Sequence, residues 1–225
     1  MLRFVFINGP PSAGKDTQAD LLKQQFPHSS RISTGDIYRG ARDKKGRYRY
    51  YWDSVQEDIK RAEEGGLIQD ETILGLVDTV VRKAYALGTN TFVFTGFPRT
   101  IAQLRHVDRW LKELKEQLRT DLKHAFVELV LDDHIAEQRR QIRYKQALDA
   151  GKTPRSDDVP EKVRKRFHEF YKNTEPMLTE LRESGRSITV GAAKSIPEVF
   201  HDLATSLEGA SFQEIERSFR PTERR

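Results

Sequence analysis

The stretch that most limits what this chain can fold into is Gly9–Gln18, GPPSAGKDTQ. An apolar run of β-formers, Phe4-Val5-Phe6-Ile7, precedes it, and Ala19, Leu21, Leu22 and Phe26 follow at helical spacing. A strand, a glycine-containing turn and then a helix is the setting that a phosphate-binding loop requires. Gly9 and Gly14 allow the backbone to curl until successive N–H groups face one hollow. A helix beginning near Lys15 adds the positive end of its dipole there. Lys15 then reaches the β- and γ-phosphates of a nucleotide as a point charge.

The rest of the chain alternates between the two periods. Arg31-Ile32-Ser33 reads as a second strand, and a helix follows from Thr34 to about Arg42, with Thr34 or Asp36 as its cap. Asp53 and Gln56 form a capping box for a helix over Ser54–Glu64, which Gly65-Gly66 ends. A further helix starts at Asp70, carries Ile73, Leu74, Val77, Val80, Val81 and Ala84 on one face, and stops at Gly88. Thr91–Thr95 is a strand of the buried type that runs into a loop at Gly96-Phe97-Pro98-Arg99. Thr100 opens a helix with the stripe Ile101, Leu104, Val107, Leu111, Leu114 and Leu118. Ala125–Leu131 is the fourth strand, and Asp132-Asp133 caps a helix to about Ala150. After a polar turn over Gly151–Pro160, a long helix runs to Glu183, with a kink predicted at Pro176. Ser187–Val190 is a fifth short strand, and Pro197 opens a last helix through Leu207. Such alternation predicts an α/β fold with a parallel sheet covered on both faces.

A length of 225 residues suits one large α/β domain. A formal charge of +5 and a pI near 9.3 suit polyanionic ligands, nucleotides or nucleic acid. With no cysteine, disulfides, thiol catalysis and cysteine-ligated zinc are excluded. No apolar run approaches the ~20 residues of a membrane span. The chain also enters a strand at once rather than a signal-peptide pattern, so a cytoplasmic enzyme without membrane contact is expected.

Lys15 separated by one residue from Thr17, with Gln18 next, resembles the adenylate kinase family of nucleoside monophosphate kinases. Ser33-Thr-Gly-Asp-Ile-Tyr-Arg39 resembles the segment with which that family holds its monophosphate substrate, and Gly96-Phe-Pro-Arg-Thr-Ile-Ala-Gln103 is similar to its second such segment. Arg155-Ser-Asp-Asp158, followed by Arg164-Lys-Arg166, resembles its lid and phosphate clamp. The resemblance spans about Leu2–Leu207, in the right order. It implies a P-loop type five-stranded parallel sheet in a kinase domain over 1–208. That domain would carry a helical monophosphate-binding insertion at 34–87 and a short lid at 143–155, leaving a mobile basic tail at 209–225. The eleven lid residues between Arg143 and Arg155 hold no Cys or His, so zinc is not expected there.

By the same resemblance the chain is a transferase that moves the γ-phosphoryl group of ATP to a nucleoside monophosphate, with water-mediated Mg²⁺, as a monomer. Gly9, Pro10, Pro11, Ser12, Ala13, Gly14, Lys15, Asp16 and Thr17 would hold ATP, with Arg139, Arg143 and Lys194. Thr34, Gly35, Arg39, Ile68, Gly96, Arg99, Gln103, Arg155 and Arg166 would hold the monophosphate. Lys15, Arg99, Arg139, Arg155 and Arg166 would be catalytic. Phosphoryl transfer asks mainly for converging positive charge, and a planar guanidinium that never deprotonates suits it. Thr100 and Gln103 resemble members directed to AMP rather than to UMP or CMP, although together they also read as a capping box. Asp157 and Asp158 would orient lid arginines or cap the helix at Pro160.

Two departures stand out. Thr95 occupies the position where the family has the Asp that holds water on Mg²⁺, while Asp16 stands where the family has Gly and could compensate. The stretch Arg42–Trp52, RDKKGRYRYYW, interleaves basic and aromatic residues and lengthens the connection after Arg39. A solvated loop is the favoured reading of that stretch. The rival is contact with RNA by a nucleotide-binding regulator of weakened catalysis.

Overall fold

A computed structural model describes residues 1–42, 70–154 and 160–209. The expected helix at Ser54–Glu64, most of the Arg42–Trp52 stretch, Ile68, Arg155, Asp157, Asp158 and the tail from 210 lie outside the described residues, as does the side chain of Arg39.

The strands are β1 Leu2–Asn8, β2 Ser29–Ser33, β3 Thr91–Thr95, β4 Leu122–Val130 and β5 Ser187–Gly191. The helices are α1 Lys15–Gln25, α2 Thr34–Arg42, α3 Asp70–Ala86, α4 Ile101–Leu118, α5 Asp133–Asp149, α6 Pro160–Glu169, α7 Glu175–Glu183 and α8 Ile196–Gly209. The five strands form one sheet in the order β2-β3-β1-β4-β5, and each neighbouring pair is parallel.

β1 is apolar on both sides because both its faces are covered. Alternate residues serve different cores. Phe4 and Phe6 join Phe92, Phe94 and Phe126 on one face, and Val5 and Ile7 join Val93, Val127 and Leu129 on the other. Register brings Phe4 opposite Phe92, and Phe6 opposite both Phe94 and Phe126. Their rings stack with centroids 5.2, 4.9 and 5.0 Å apart. Such aromatic pairs contribute about 0.5–1.5 kcal/mol each beyond the area they bury.

Helix α4 departs from its expected stripe. Ile101 is exposed, while Trp110 is buried edge-on against Phe4 and donates its indole N–H to Asp78 Oδ1 at 2.7 Å. Burial of an indole needs such a partner, and Asp78 comes from the packed helix α3, which the period of α4 alone does not reveal. The long helix after the lid segment is not simply kinked at Pro176. It widens into a π-turn over Phe170–Thr174, where the Glu175 N–H bonds the Phe170 carbonyl, before α7 begins. Pro176 has no N–H and its ring crowds the carbonyl four residues back, which the wider turn accommodates.

His124, in β4, is buried edge-on against Phe126. Burial, and then the charge of Arg186, push it down from 6.5 to about 4, with Asp108 acting the other way. Between these values the unfolded chain takes up a proton that the folded chain refuses. Stability is therefore complete above pH 6.5 and is lost as pH falls toward 4. Between pH 7 and pH 5 the wild type is expected to lose about 2 kcal/mol from this source. Denaturant unfolding of wild type and His124→Leu at both pH values checks it: identical pH dependence in the two proteins would rule His124 out.

Candidate functional site

The carboxyl ends of β1 and β3 lie side by side at the middle of the sheet, so the loops that leave them meet. After β1 the chain turns through Gly9 at φ 141° and passes so close to β4 that a Cβ on Gly9 would stand 2.4 Å from the Leu129 carbonyl oxygen. Ser12 takes φ 64° and Gly14, the residue before α1, takes φ 87°. A left-handed serine costs on the order of 1 kcal/mol. The turn is closed by the Ala13 N–H on the Pro10 carbonyl at 3.3 Å.

Lys15 folds back over this loop and donates from Nζ to the carbonyls of Gly9 and Pro10 at 2.8 and 2.7 Å. Removal from water, and then the positive charges of Arg99 and Arg166, lower its pKa to about 7, against a smaller opposing pull from Asp16. Three cations from three elements therefore sit close enough to repel one another. They line one pocket together with Asn8, Gly9, Pro11, Gly96, Glu169, Phe170 and Thr174. Cations converging on one pocket from three elements are the electrostatic mark of a polyanion site.

Of the residues expected from sequence, Gly9, Pro11, Lys15, Gly96, Arg99 and Arg166 meet in this pocket, while Pro10, Ser12, Ala13 and Gly14 complete the loop beside it. Asn8, Glu169, Phe170 and Thr174 were not expected. Asn8 had a signal, a polar residue ending an apolar strand. It is buried, and its Nδ2 has no hydrogen-bond partner among the described residues. Glu169, Phe170 and Thr174 arrive by the path of the long helix, which the sequence does not specify.

The loop after β3 is held from two sides. Thr34, at the start of α2, donates from Oγ1 to the Gly96 carbonyl at 3.0 Å, and Arg99 Nε reaches the same oxygen at 2.7 Å. Thr100 caps α4 by accepting from the Gln103 N–H at 3.0 Å. The Gln103 side chain accepts from the Arg99 N–H at 2.7 Å and donates to Asp70 Oδ1 at 2.6 Å, so its amide is engaged at both ends. Gly35 and the backbone of Arg39 lie in α2.

Arg139, Arg143 and Lys194 do not line the pocket. Arg139 donates to the Lys194 carbonyl at 3.2 Å, and the Lys194 ammonium pairs with Asp202 at 2.7 Å. Arg143 is one turn beyond Arg139 in α5.

Thr95 and Asp16, the residues of the first departure noted in the sequence, meet in space. Thr95 Oγ1 donates to Asp16 Oδ1 at 2.6 Å. A carboxylate from the first turn of α1 thus stands against the end of β3. Arg31, in β2, donates from one guanidinium nitrogen to the same Asp16 oxygen at 3.0 Å, from Nε to Asp20 at 2.9 Å, and from its remaining nitrogen to Asp36 in α2. Partial burial works against its charge, but Asp36, Asp16 and Asp20 outweigh it and raise its pKa. Among the described residues no group of three or more His, Cys, Asp or Glu side chains could hold a metal ion alone. Asp16 and Thr95 offer hard oxygens beside the pocket, which suits Mg²⁺ carried in on phosphates and keeping its waters. No helix among the described residues is long and apolar enough to cross a membrane.

A sequence model described as "Adenylate kinase" matches residues 7–186. An adenylate kinase of Rhizobium meliloti (strain 1021) is 33% identical over 206 residues, covering 90% of this chain and 97% of its own. One from Nitrobacter hamburgensis is 32% identical over 205 residues, 90% of each chain, and one from Agrobacterium fabrum is 29% identical over 214 residues, 93% of this chain and 100% of its own.

Proposed function

The chain belongs to the adenylate kinase family and is a nucleoside monophosphate phosphotransferase, and from that premise we propose that ATP is its donor and AMP its acceptor, giving two ADP. The observation that carries this reading is the convergence of Lys15, Arg99 and Arg166 on the loop after β1.

An oxygen of the AMP phosphate attacks the γ-phosphorus of ATP. A new P–O bond forms as the bond to the β–γ bridging oxygen breaks, and ADP carries that oxygen away. Charge spreads over the equatorial oxygens of the transferring group, so positioned cations are the main catalytic means. Lys15 leaves the Gly9 and Pro10 carbonyls for the β- and γ-phosphates. Arg99, and with it Arg39, holds the acceptor phosphate, while Arg155 and Arg166 close on the transferring group. Arg139, Arg143 and Lys194 hold the adenosine side of ATP, reaching it when the lid segment 143–155 closes. Thr34, Ile68 and Gln103 frame the acceptor base, which requires Gln103 to exchange one of its present partners.

Mg²⁺ bound with ATP supplies charge neutralisation, and Asp16 with Thr95 would hold its water. We place the reaction in the cytoplasm, in a monomer. The test is a coupled assay of ADP formation with AMP, UMP, CMP, GMP and dTMP as acceptors. AMP is expected to give the highest kcat/KM, by at least tenfold; preference for a pyrimidine would overturn the acceptor assignment.

A further inference from the structure

Arg31 belongs to none of the segments through which phosphates are expected to be held, yet it touches the helices that open two of them. Asp16 lies in the first turn of α1, directly after Lys15, and Asp36 lies in the first turn of α2, just after Thr34. Arg31 donates to both at once, and its side chain is only 22% exposed. The Asp16 carboxylate is also fixed by Thr95, at the base of the Gly96–Arg99 loop, and Thr34 grips that loop through the Gly96 carbonyl. One guanidinium thereby closes a ring of contacts through α1, β3 and α2. A planar fork with several donors in fixed directions can bridge two carboxylates in a set geometry, whereas an ammonium on a flexible stem cannot.

We propose that Arg31 is a positioning residue that locks the helix of the donor loop to the helix of the acceptor segment, so that the two phosphate chains stand in line for transfer. This rests on the reading above, in which α1 serves ATP and α2 the monophosphate. Arg31 touches neither nucleotide. It acts through Asp16 and Asp36, and its effect belongs to the alignment of the two substrates rather than to the binding of either. Misplacement of reacting groups by about 1 Å can cost on the order of 100-fold in rate.

The experiment compares wild type, Arg31→Gln, Arg31→Lys and Asp20→Asn. The probes are AMP alone, a non-hydrolysable ATP analogue alone, and two adenosines joined through five phosphates, which must occupy both sites in register. In Arg31→Gln each single nucleotide should keep its affinity within about threefold, the joined ligand should weaken by at least ~10-fold, and kcat should fall by ~10- to 100-fold with little change in KM. Arg31→Lys keeps the charge, guards against a glutamine variant that does not fold, and should show the same pattern. Asp20→Asn removes an ion pair of Arg31 without untying α1 from α2, and should match the wild type throughout. Wild-type affinity of Arg31→Gln for the joined ligand, or an equal loss for single and joined ligands, would overturn the proposal. If the wild type neither forms ADP nor binds the joined ligand more tightly than the single ones, it is the donor and acceptor reading that fails.

Discussion

Lys15→Ala is expected to lower kcat by at least ~100-fold, the usual effect of removing one preorganised donor from a site where charge develops. Its ammonium rests on the Gly9 and Pro10 carbonyls, close to Arg99 and Arg166. Alanine leaves those carbonyls without their donor and, on the proposed reading, takes a cation from the γ-phosphate. The depressed pKa of about 7 adds a pH signature. A bound phosphate requires the charged form, so below pH 7 the lysine is ready, and above it ATP binding must take up a proton. Affinity for ATP should then fall with rising pH, approaching tenfold per unit. Calorimetry at pH 8.5 in two buffers of different ionisation enthalpy should find close to one proton taken up by the wild type and none by Lys15→Ala. Near-normal turnover in the variant would remove Lys15 from the reaction.

Gly9→Ala should be the most damaging single methyl group that can be added to the loop. Its Cβ would stand 2.4 Å from the backbone oxygen of Leu129, which cannot rotate away, and φ 141° is itself strained for an L-residue. We expect a loss of about 2–4 kcal/mol in denaturant unfolding. ATP affinity should fall by at least ~10-fold, because the loop carbonyls and N–H groups shift together. Gly14→Ala is the control. Nothing lies within 4 Å of its Cβ, so only its φ of 87° is penalised, and a loss of about 1 kcal/mol is expected. Equal losses in the two variants would mean that the approach to Leu129 is not what limits position 9.

The elements legible in the sequence are those whose cause is local. The apolar run Phe4–Ile7, the glycine turn, and the Thr100 cap with Gln103 three residues on each declare themselves within a few residues. Much of the pocket followed, because β1 and β3 are neighbours and their loops emerge at one edge. What stayed hidden depends on how separate elements face each other. Asp16 and Thr95 could each be noticed, but their contact depends on how α1 is rotated over the end of β3. Arg31 looked like an ordinary strand residue, since nothing near it announces carboxylates arriving from α1 and α2. Trp110 stands at helical spacing from Val107 and Leu114, but its partner Asp78 comes from another helix and could not be read beside it. A proline marks that a helix must yield, but not that it will widen to a π-turn ahead of the proline.

The position of β1 at the centre of the sheet has a consequence for how the protein is born. Leu2 pairs with Leu122 and Arg3 with Thr91, so β1 finds both of its neighbours only after much of the chain that follows it has been made. At ordinary rates of synthesis that is a delay on the order of ten seconds. Such distant pairings also fold slowly once the chain is complete. During the delay Phe4, Phe6 and the rest of an unpaired apolar strand stand exposed on the nascent chain. The phosphate loop cannot close until Leu129 exists for Gly9 to pack against. A nascent chain stalled before β4 should therefore be held by chaperones and unable to retain ATP, while one extended past it gains both the strand's shelter and the loop.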